Sequence, residues 1–264
     1  MVKIGYLTID DAPSEDTKEK IDFLLKHKIP AIFFCEGQRL EKYPEAAIYA
    51  IKKGFVLGNH AYNHPHFSEI AMKKCFEQIK KTDELLEQIY KKAGVTRPAK
   101  VFRFPYIDKG WGDETSDQGW PSNEKQRKHA QAIQDYLKKL GYKQPKFKGI
   151  TYKWYLNAKL LDDIDVAPTY DTCDYAPLMK VSTYGIKDLK GVLARMDEDL
   201  PEACRGINYP DSNEIIMTHD HPFGNEKDHG KAEYEKFRKL AKEIFFAVIN
   251  RLLEKGIKFE LPEF

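Results

Sequence analysis

The 264-residue chain has no dominant charge: 43 Lys and Arg against 41 Asp and Glu leave a formal charge of +2. That balance gives no basic footprint for nucleic acid, which is excluded as a partner. No stretch approaches the roughly 20 apolar residues that a membrane-spanning helix needs, so no integral membrane segment is expected. Cysteines are few. Cys35, Cys75, Cys173 and Cys204 are widely spaced without a Cys-x-x-Cys pair, which excludes a zinc knuckle or a dense disulfide framework and predicts reduced thiols. No Gly-x-Gly-x-x-Gly follows the first strand-like run, which argues against a dinucleotide site. Internal repeats and low-complexity segments are also absent. Met1-Val2-Lys3-Ile4-Gly5-Tyr6 runs straight into a strand without a basic-then-apolar leader. As written the chain reads as cytoplasmic; one trimmed of an export signal would read the same and would be secreted or belong to the cell envelope. The oligomeric state has no signature.

What is present is enough for a large core, with 42% hydrophobic residues, 15 Tyr and 15 Phe. The length fits one domain over residues 1–264. Ile4 to Ile9 reads as a strand ending in Asp10-Asp11. Asp16 is expected to cap the next helix, with Glu19 three residues on. Ala31 to Cys35 is a second strand, and a helix from Pro44 stops at Gly54. Phe55 to Leu57 reads as a third strand. Ser68 opens a long amphipathic helix with apolar positions 72, 75, 76, 79, 86 and 89, closed by Gly94. Val101 to Phe104 reads as a fourth strand, 108–122 as a polar loop, and Asn123 to Leu140 as a helix with Gln126 in the capping box. Further β-type runs fall near 147–150, 164–170 and 213–218, with a last helix over 231–255 and a last strand over 257–261. This alternation predicts an α/β fold with a parallel sheet, better matched by a closed or nearly closed (β/α) barrel than by an open doubly wound sheet.

The polar clusters share one feature. Asp10-Asp11, His60-Ala61-Tyr62-Asn63-His64, Arg103 to Tyr106, Asp171 to Tyr175 and Thr218-His219 each fall at the C-terminal end of a predicted strand, and in a parallel barrel those ends share one mouth. The histidine pair sits in a polar turn, since Gly58-Asn59 precede it and Pro65 biases His64 away from helical dihedrals. Two imidazoles and one carboxylate make a three-ligand set for a divalent metal with a position left for water. Asp11 is the natural carboxylate, and Asp10 is then free to take a proton, its charge offset by Arg103. His219 suits a general acid with Asp174 as its partner, Asp171 second, and His221 as a competitor two residues away. His27, His66, His129 and His229 read as surface residues.

Thr8-Ile9-Asp10-Asp11, His60 to His64, Arg103-Phe104-Pro105-Tyr106, Asp171-Thr172-Cys173-Asp174-Tyr175 and Met217-Thr218-His219 resemble the ordered motifs of the polysaccharide deacetylases, the NodB-like enzymes of carbohydrate esterase family 4. Ala31-Ile32-Phe33-Phe34 resembles that family's second strand. The resemblance spans roughly residues 4–220 and implies a distorted (β/α)7 barrel and metal-dependent removal of an acetyl group from an N-acetylated sugar. It implies Asp10 as base; Asp11, His60 and His64 as metal ligands; and Arg103 orienting Asp10. The Tyr106 N–H would serve the oxyanion, and His219 would be the acid tuned by Asp174. Zn2+ is the first expectation for the metal, with Co2+, Mn2+ or Ni2+ as alternatives. The chain departs from the family pattern at Ala12, where glycine is usual, and at Ala61, where a hydroxyl residue is usual. Tyr175 stands for a Trp in the pocket wall, and Met217 for a Leu. None of these is a ligand, base or acid, so they bear on the substrate.

The region 107–163 is an enlarged insertion, and Trp111, Trp120, Trp154 and Tyr155 either form a sugar-stacking rim or pack internally. The leading function is therefore an N-acetyl-carbohydrate deacetylase. An O-acetyl esterase or other amidase, a non-haem iron enzyme and an inactive carbohydrate-binding homologue are the alternatives. Chitin, peptidoglycan, another glycan and a small metabolite all remain open as the acceptor.

Overall fold

All but the first of the nine residues of β1 (Ile4–Ala12) are buried, as expected of a strand paired on both edges and covered on both faces. The computed structural model describes residues 2–110, 123–179, 183–200, 206–221 and 230–264. After β1 come α1 (Thr17–Lys26), β2 (Ala31–Cys35), α2 (Gly37–Lys42), α3 (Pro44–Lys52), β3 (Val56–Asn59) and α4 (Met72–Ala93). The second half adds α5 (Glu124–Lys139), α6 (Lys153–Asn157), β4 (Tyr170–Asp171), α7 (Leu189–Asp197), β5 (Glu214–His219), α8 (Lys231–Glu254) and β6 (Lys258–Phe259).

The strands are parallel in the order β3-β2-β1-β5-β4, with β6 beside the start of β1. Beyond β3 the ring continues through single contacts. Phe102 bridges Asn59 in parallel, and the Val166 N–H donates to the Phe102 carbonyl at 2.9 Å. The same chain then reaches β5 through the Thr169 N–H on the Ile215 carbonyl, also at 2.9 Å. A stretch bonded on both sides by isolated contacts is what distorts this α/β barrel.

Strand alternation sorts the side chains. Tyr6, Ile32, Phe34, Val56, Val101, Val166 and Ile215 form one cluster inside the ring. Leu7, Ile9, Phe33, Leu57 and Ile216 join α1, α3, α4, α7 and α8 in the outer layer. Gly58 is required where it stands, because a Cβ there would lie 2.6 Å from the Phe34 ring.

Several expectations need correction. Asp16 precedes α1 but makes no side-chain cap; its carboxylate instead binds Arg238 at 2.7 and 3.0 Å. The long helix begins at Met72, and Ser68 donates to Asp108 through its N–H and hydroxyl. The run over 101–104 forms only the Phe102 bridge, and 147–150 forms no strand, its neighbour Lys146 pairing antiparallel with Glu263. Of 164–170 only Tyr170 enters β4, which ends at Asp171. The capping box at Asn123 and Gln126 forms as expected. The short helices α2 and α6 span too few turns for a periodic signal, and α7, as long as α3, lacks the leading proline and closing glycine that mark α3. Most of the 108–122 loop, with Trp111 and Trp120, lies outside the described residues, as does Cys204. Cys35, Cys75 and Cys173 are free and buried. No helix among the described residues is long and apolar enough to cross a membrane.

Candidate metal centre and its surroundings

Alternation along β1 would send adjacent aspartates to opposite faces. The structure avoids this with an irregularity in the β1–β2 register between Ile9 and Ala12 and with Asp11 in the left-handed region at φ 58°. Both carboxylates therefore reach the mouth. Ala61 at φ 61° and His64 at φ 57° bend the histidine turn the same way. Such conformations cost a non-glycine residue roughly 1–3 kcal/mol each and gather at functional sites. Asn59 anchors that turn: its Oδ1 accepts the Ala61 N–H at 2.9 Å, and its Nδ2 donates to the Ile79 carbonyl at 2.9 Å and the Tyr142 hydroxyl at 2.7 Å.

Asp11, His60 and His64 offer ligand atoms that all lie within 4.8 Å of one another. His60 Nδ1 lies 2.9 Å from the Arg103 carbonyl, which can only accept, so Nδ1 carries the proton and Nε2 keeps its lone pair. Burial holds the His60 pKa below its ordinary value, so the ring is neutral. That Nε2 stands 3.6 Å from Asp11 Oδ1 and 3.9 Å from Asp10 Oδ2, and His64 Nε2 stands 3.3 Å from the same Asp11 oxygen. Asp11 Oδ1 is buried and has no hydrogen-bond partner. Burial pushes the Asp11 carboxyl up, with His64 offsetting part of the rise. A bare carboxylate oxygen facing an imidazole lone pair at this range is costly. A divalent cation among the three groups removes the conflict, and oxygen plus two nitrogens suits zinc or a similar ion. The donor set fits a metal.

Asp10 is held differently. Arg103, fully buried, donates from Nη1 to Asp10 Oδ1 at 2.8 Å and to Thr8 Oγ1 at 2.7 Å, and from Nε to the Val166 carbonyl at 2.6 Å. Its guanidinium lies 4.7 Å over the Phe34 ring. The adjacent carboxylates thus have separate surroundings, one facing a guanidinium and the other two imidazoles.

Across the mouth, β5 pairs with β1 so that His219 lies opposite Asp10. His219 Nδ1 is 2.7 Å from Asp174 Oδ1, while Asp174 Oδ2 accepts the His219 N–H at 2.8 Å and the Thr218 hydroxyl at 2.6 Å. Burial pulls the His219 pKa down, but the Asp174 carboxylate outweighs it and lifts the imidazole to about 10. Asp174 itself falls below its usual range because His219 outweighs its burial. Asp171, the second choice of partner, instead accepts the Cys173 N–H at 2.8 Å and the Tyr175 hydroxyl at 3.2 Å. Tyr175 meets His219 edge-on at 5.3 Å, and Met217 is buried at the strand end. His221 is buried with its ring 5.8 Å from Tyr234. Tyr106 is 48% exposed, with its ring 4.4 Å from that of His64.

Some side chains read as peripheral are not. His66 stacks on Tyr106 at 3.8 Å. His129 is half-buried, 3.6 Å from Cys75 Sγ. His27 is half-buried against Phe23, and His229 lies outside the described residues. Tyr155 is buried and donates to the Ala167 carbonyl, with Trp154 packed on it, so these two serve the core and not a sugar-stacking rim.

Known proteins share this arrangement of chain. Residues 2–118 match the polysaccharide deacetylase family. A peptidoglycan-N-acetylmuramic acid deacetylase of Bacillus subtilis is 39% identical over 88 residues, 33% of this chain and 19% of that protein. A peptidoglycan-N-acetylglucosamine deacetylase of Bacillus cereus is 37% identical over 101 residues, 38% of this chain and 35% of that protein. The matched stretches cover well under two thirds of either relative. The structure of a family 4 carbohydrate esterase from Streptomyces lividans, in complex with acetate, superposes with a TM-score of 0.53 over 98% of this chain and 92% of that one. At 17% identity that likeness speaks for the fold.

Proposed function

We propose, from the match of residues 2–118 to the polysaccharide deacetylases, that this chain is a metal-dependent hydrolase that removes acetyl groups from an N-acetylated sugar or glycan. The observation that carries this is the buried, unpartnered Asp11 Oδ1 facing two imidazole nitrogens, with Asp10 on one side. Asp11, His60 and His64 would hold the ion, with Zn2+ first and Co2+, Mn2+ or Ni2+ as alternatives. When bound, the ion supplies Lewis acidity toward a carbonyl oxygen and makes a nearby water more acidic.

The chain's own groups divide the remaining work. Arg103 holds Asp10 by Oδ1, which leaves Asp10 Oδ2 to take the proton of the attacking water as the C–O bond forms. The Tyr106 N–H serves the developing oxyanion. Asp174 holds His219 by Nδ1, which leaves Nε2 to donate its proton to the sugar nitrogen as the C–N bond breaks. The second water proton stays on the carboxyl product, so acetic acid and an amine leave; Asp10 is then protonated and His219 neutral, and passage of that proton from Asp10 through solvent to His219 restores both groups. Tyr175 and Met217 line the acceptor side.

The test is acetate release across N-acetylated sugars, glycan oligomers and an O-acetyl sugar, with and without chelator. Chelator-sensitive release from an N-acetylated substrate is expected. Release that survives full metal removal, or only from the O-acetyl sugar, overturns the reading.

A further inference from the structure

His66 has no part in the steps above, yet its surroundings are specific. Its ring lies 3.8 Å from that of Tyr106 at an interplanar angle of 7°. Tyr106 in turn meets His64 at 4.4 Å and 68°. The three rings form a continuous pile from the candidate metal centre to the rim. Tyr106 and Ile107 both occupy the left-handed region, at φ 56° and 58°, and two strained residues in succession hold one conformation only if their surroundings over-determine it. Two ties do so. One is the His66 ring. The other is Asp108, whose Oδ2 accepts from the Ser68 N–H at 2.9 Å and hydroxyl at 2.7 Å, lies 3.8 Å from His66 Nδ1, and whose Oδ1 accepts the Gly110 N–H at 2.9 Å. Both ties join the turn that carries His64 to the turn that carries Tyr106.

We propose that His66 is a positioning residue: stacked on Tyr106, it fixes the Cα–Cβ direction of that residue and so aims its backbone N–H at the developing oxyanion. This rests on the function proposed above. His66 touches no reacting atom, and its effect belongs to the chemical step more than to substrate binding. A flat ring is what the role requires, so phenylalanine should replace it where alanine cannot.

The experiment compares zinc-loaded parent, His66→Ala and His66→Phe on one N-acetylglucosamine oligomer. It also records zinc content and the NMR shifts of the Tyr106 ring protons. His66→Ala should lower kcat by about 10- to 100-fold, the scale of a displacement of about 1 Å in a catalytic group. Its KM should change less than about threefold, with zinc content kept and the Tyr106 signals moved; His66→Phe should recover most of kcat. Parent-like kcat in His66→Ala overturns the proposal, as do equal damage in both variants, a loss confined to KM, or loss of zinc. A parent that releases no acetate defeats the functional reading instead, while Tyr106 signals unmoved by His66→Ala defeat the positioning role on their own.

Discussion

Glu214 and His219 are the two ends of one strand, and the protein treats buried ionisable groups oppositely at each. Glu214 is fully buried and saturated: Lys3 Nζ lies at 2.8 Å, the Thr169 hydroxyl donates at 2.6 Å, and the Tyr152 hydroxyl donates as well. Burial still pushes its carboxyl up, so the partners do not fully cancel desolvation. At the His219 end, Asp11 keeps a buried oxygen with no partner beside two imidazoles. A satisfied buried charge holds elements together; an unsatisfied one beside ligand-type atoms stores a conflict that a bound cation resolves.

The greatest effect should come from removing the conflict itself. Asp11→Ala should abolish stoichiometric zinc uptake, read by metal analysis, and lower acetate release by about 10³-fold or more, roughly 4 kcal/mol at the transition state. The metal-free variant should melt no lower than metal-free parent, because it loses a carboxylate that burial disfavours. A clearly lower melting temperature would break the comparison. Asp10→Asn sharpens it within the mouth. Here zinc uptake should survive while kcat falls by about 10²- to 10⁴-fold, the range of a lost general base. At the other end, Glu214→Gln should keep zinc uptake and turnover per folded molecule. It should lower unfolding free energy in denaturant titration by about 1–3 kcal/mol, the cost of a buried group poorly satisfied.

Much of this was legible in the sequence for a chemical reason. Ligand, base and acid residues occupy strand ends, and a parallel barrel brings strand ends together whatever their separation along the chain. The shared aim of Asp10 and Asp11 was not legible, because it needs the register irregularity and the left-handed Asp11. Asp16 looked like a helix cap, since nothing local reveals Arg238 far along the chain. His66 looked peripheral because its partner, Tyr106, arrives from a different turn. The apolar pattern over 101–104 predicts a strand, but β3 and the 164–171 stretch offer it isolated contacts instead of a ladder. Tyr155 carried the composition of a sugar platform and lies wholly inside.

The smallest of these effects is a shift in pH dependence, and it asks whether His219 is the acid. Burial lowers its pKa, the Asp174 carboxylate more than restores it to about 10, and the anions of Asp11 and Asp10 add to the rise. A group raised from 6.5 to about 10 contributes stability that is complete below pH 6.5 and is lost as pH climbs through about 10. Asp174, depressed below 3.8, contributes above pH 3.8 and loses its share as pH falls through its folded value. The melting difference between parent and Asp174→Asn should therefore be widest between about pH 4 and 6.5 and close above about 10. In activity, the alkaline limb set by His219 should move to lower pH in Asp174→Asn, because burial then acts without its counterweight. A bound cation offsets the Asp11 charge, so the limb in loaded enzyme should lie below the titration seen by NMR in metal-free protein. Were the limb to stay in place in Asp174→Asn, the proton would come from another group, with the ring of His221 the first to examine.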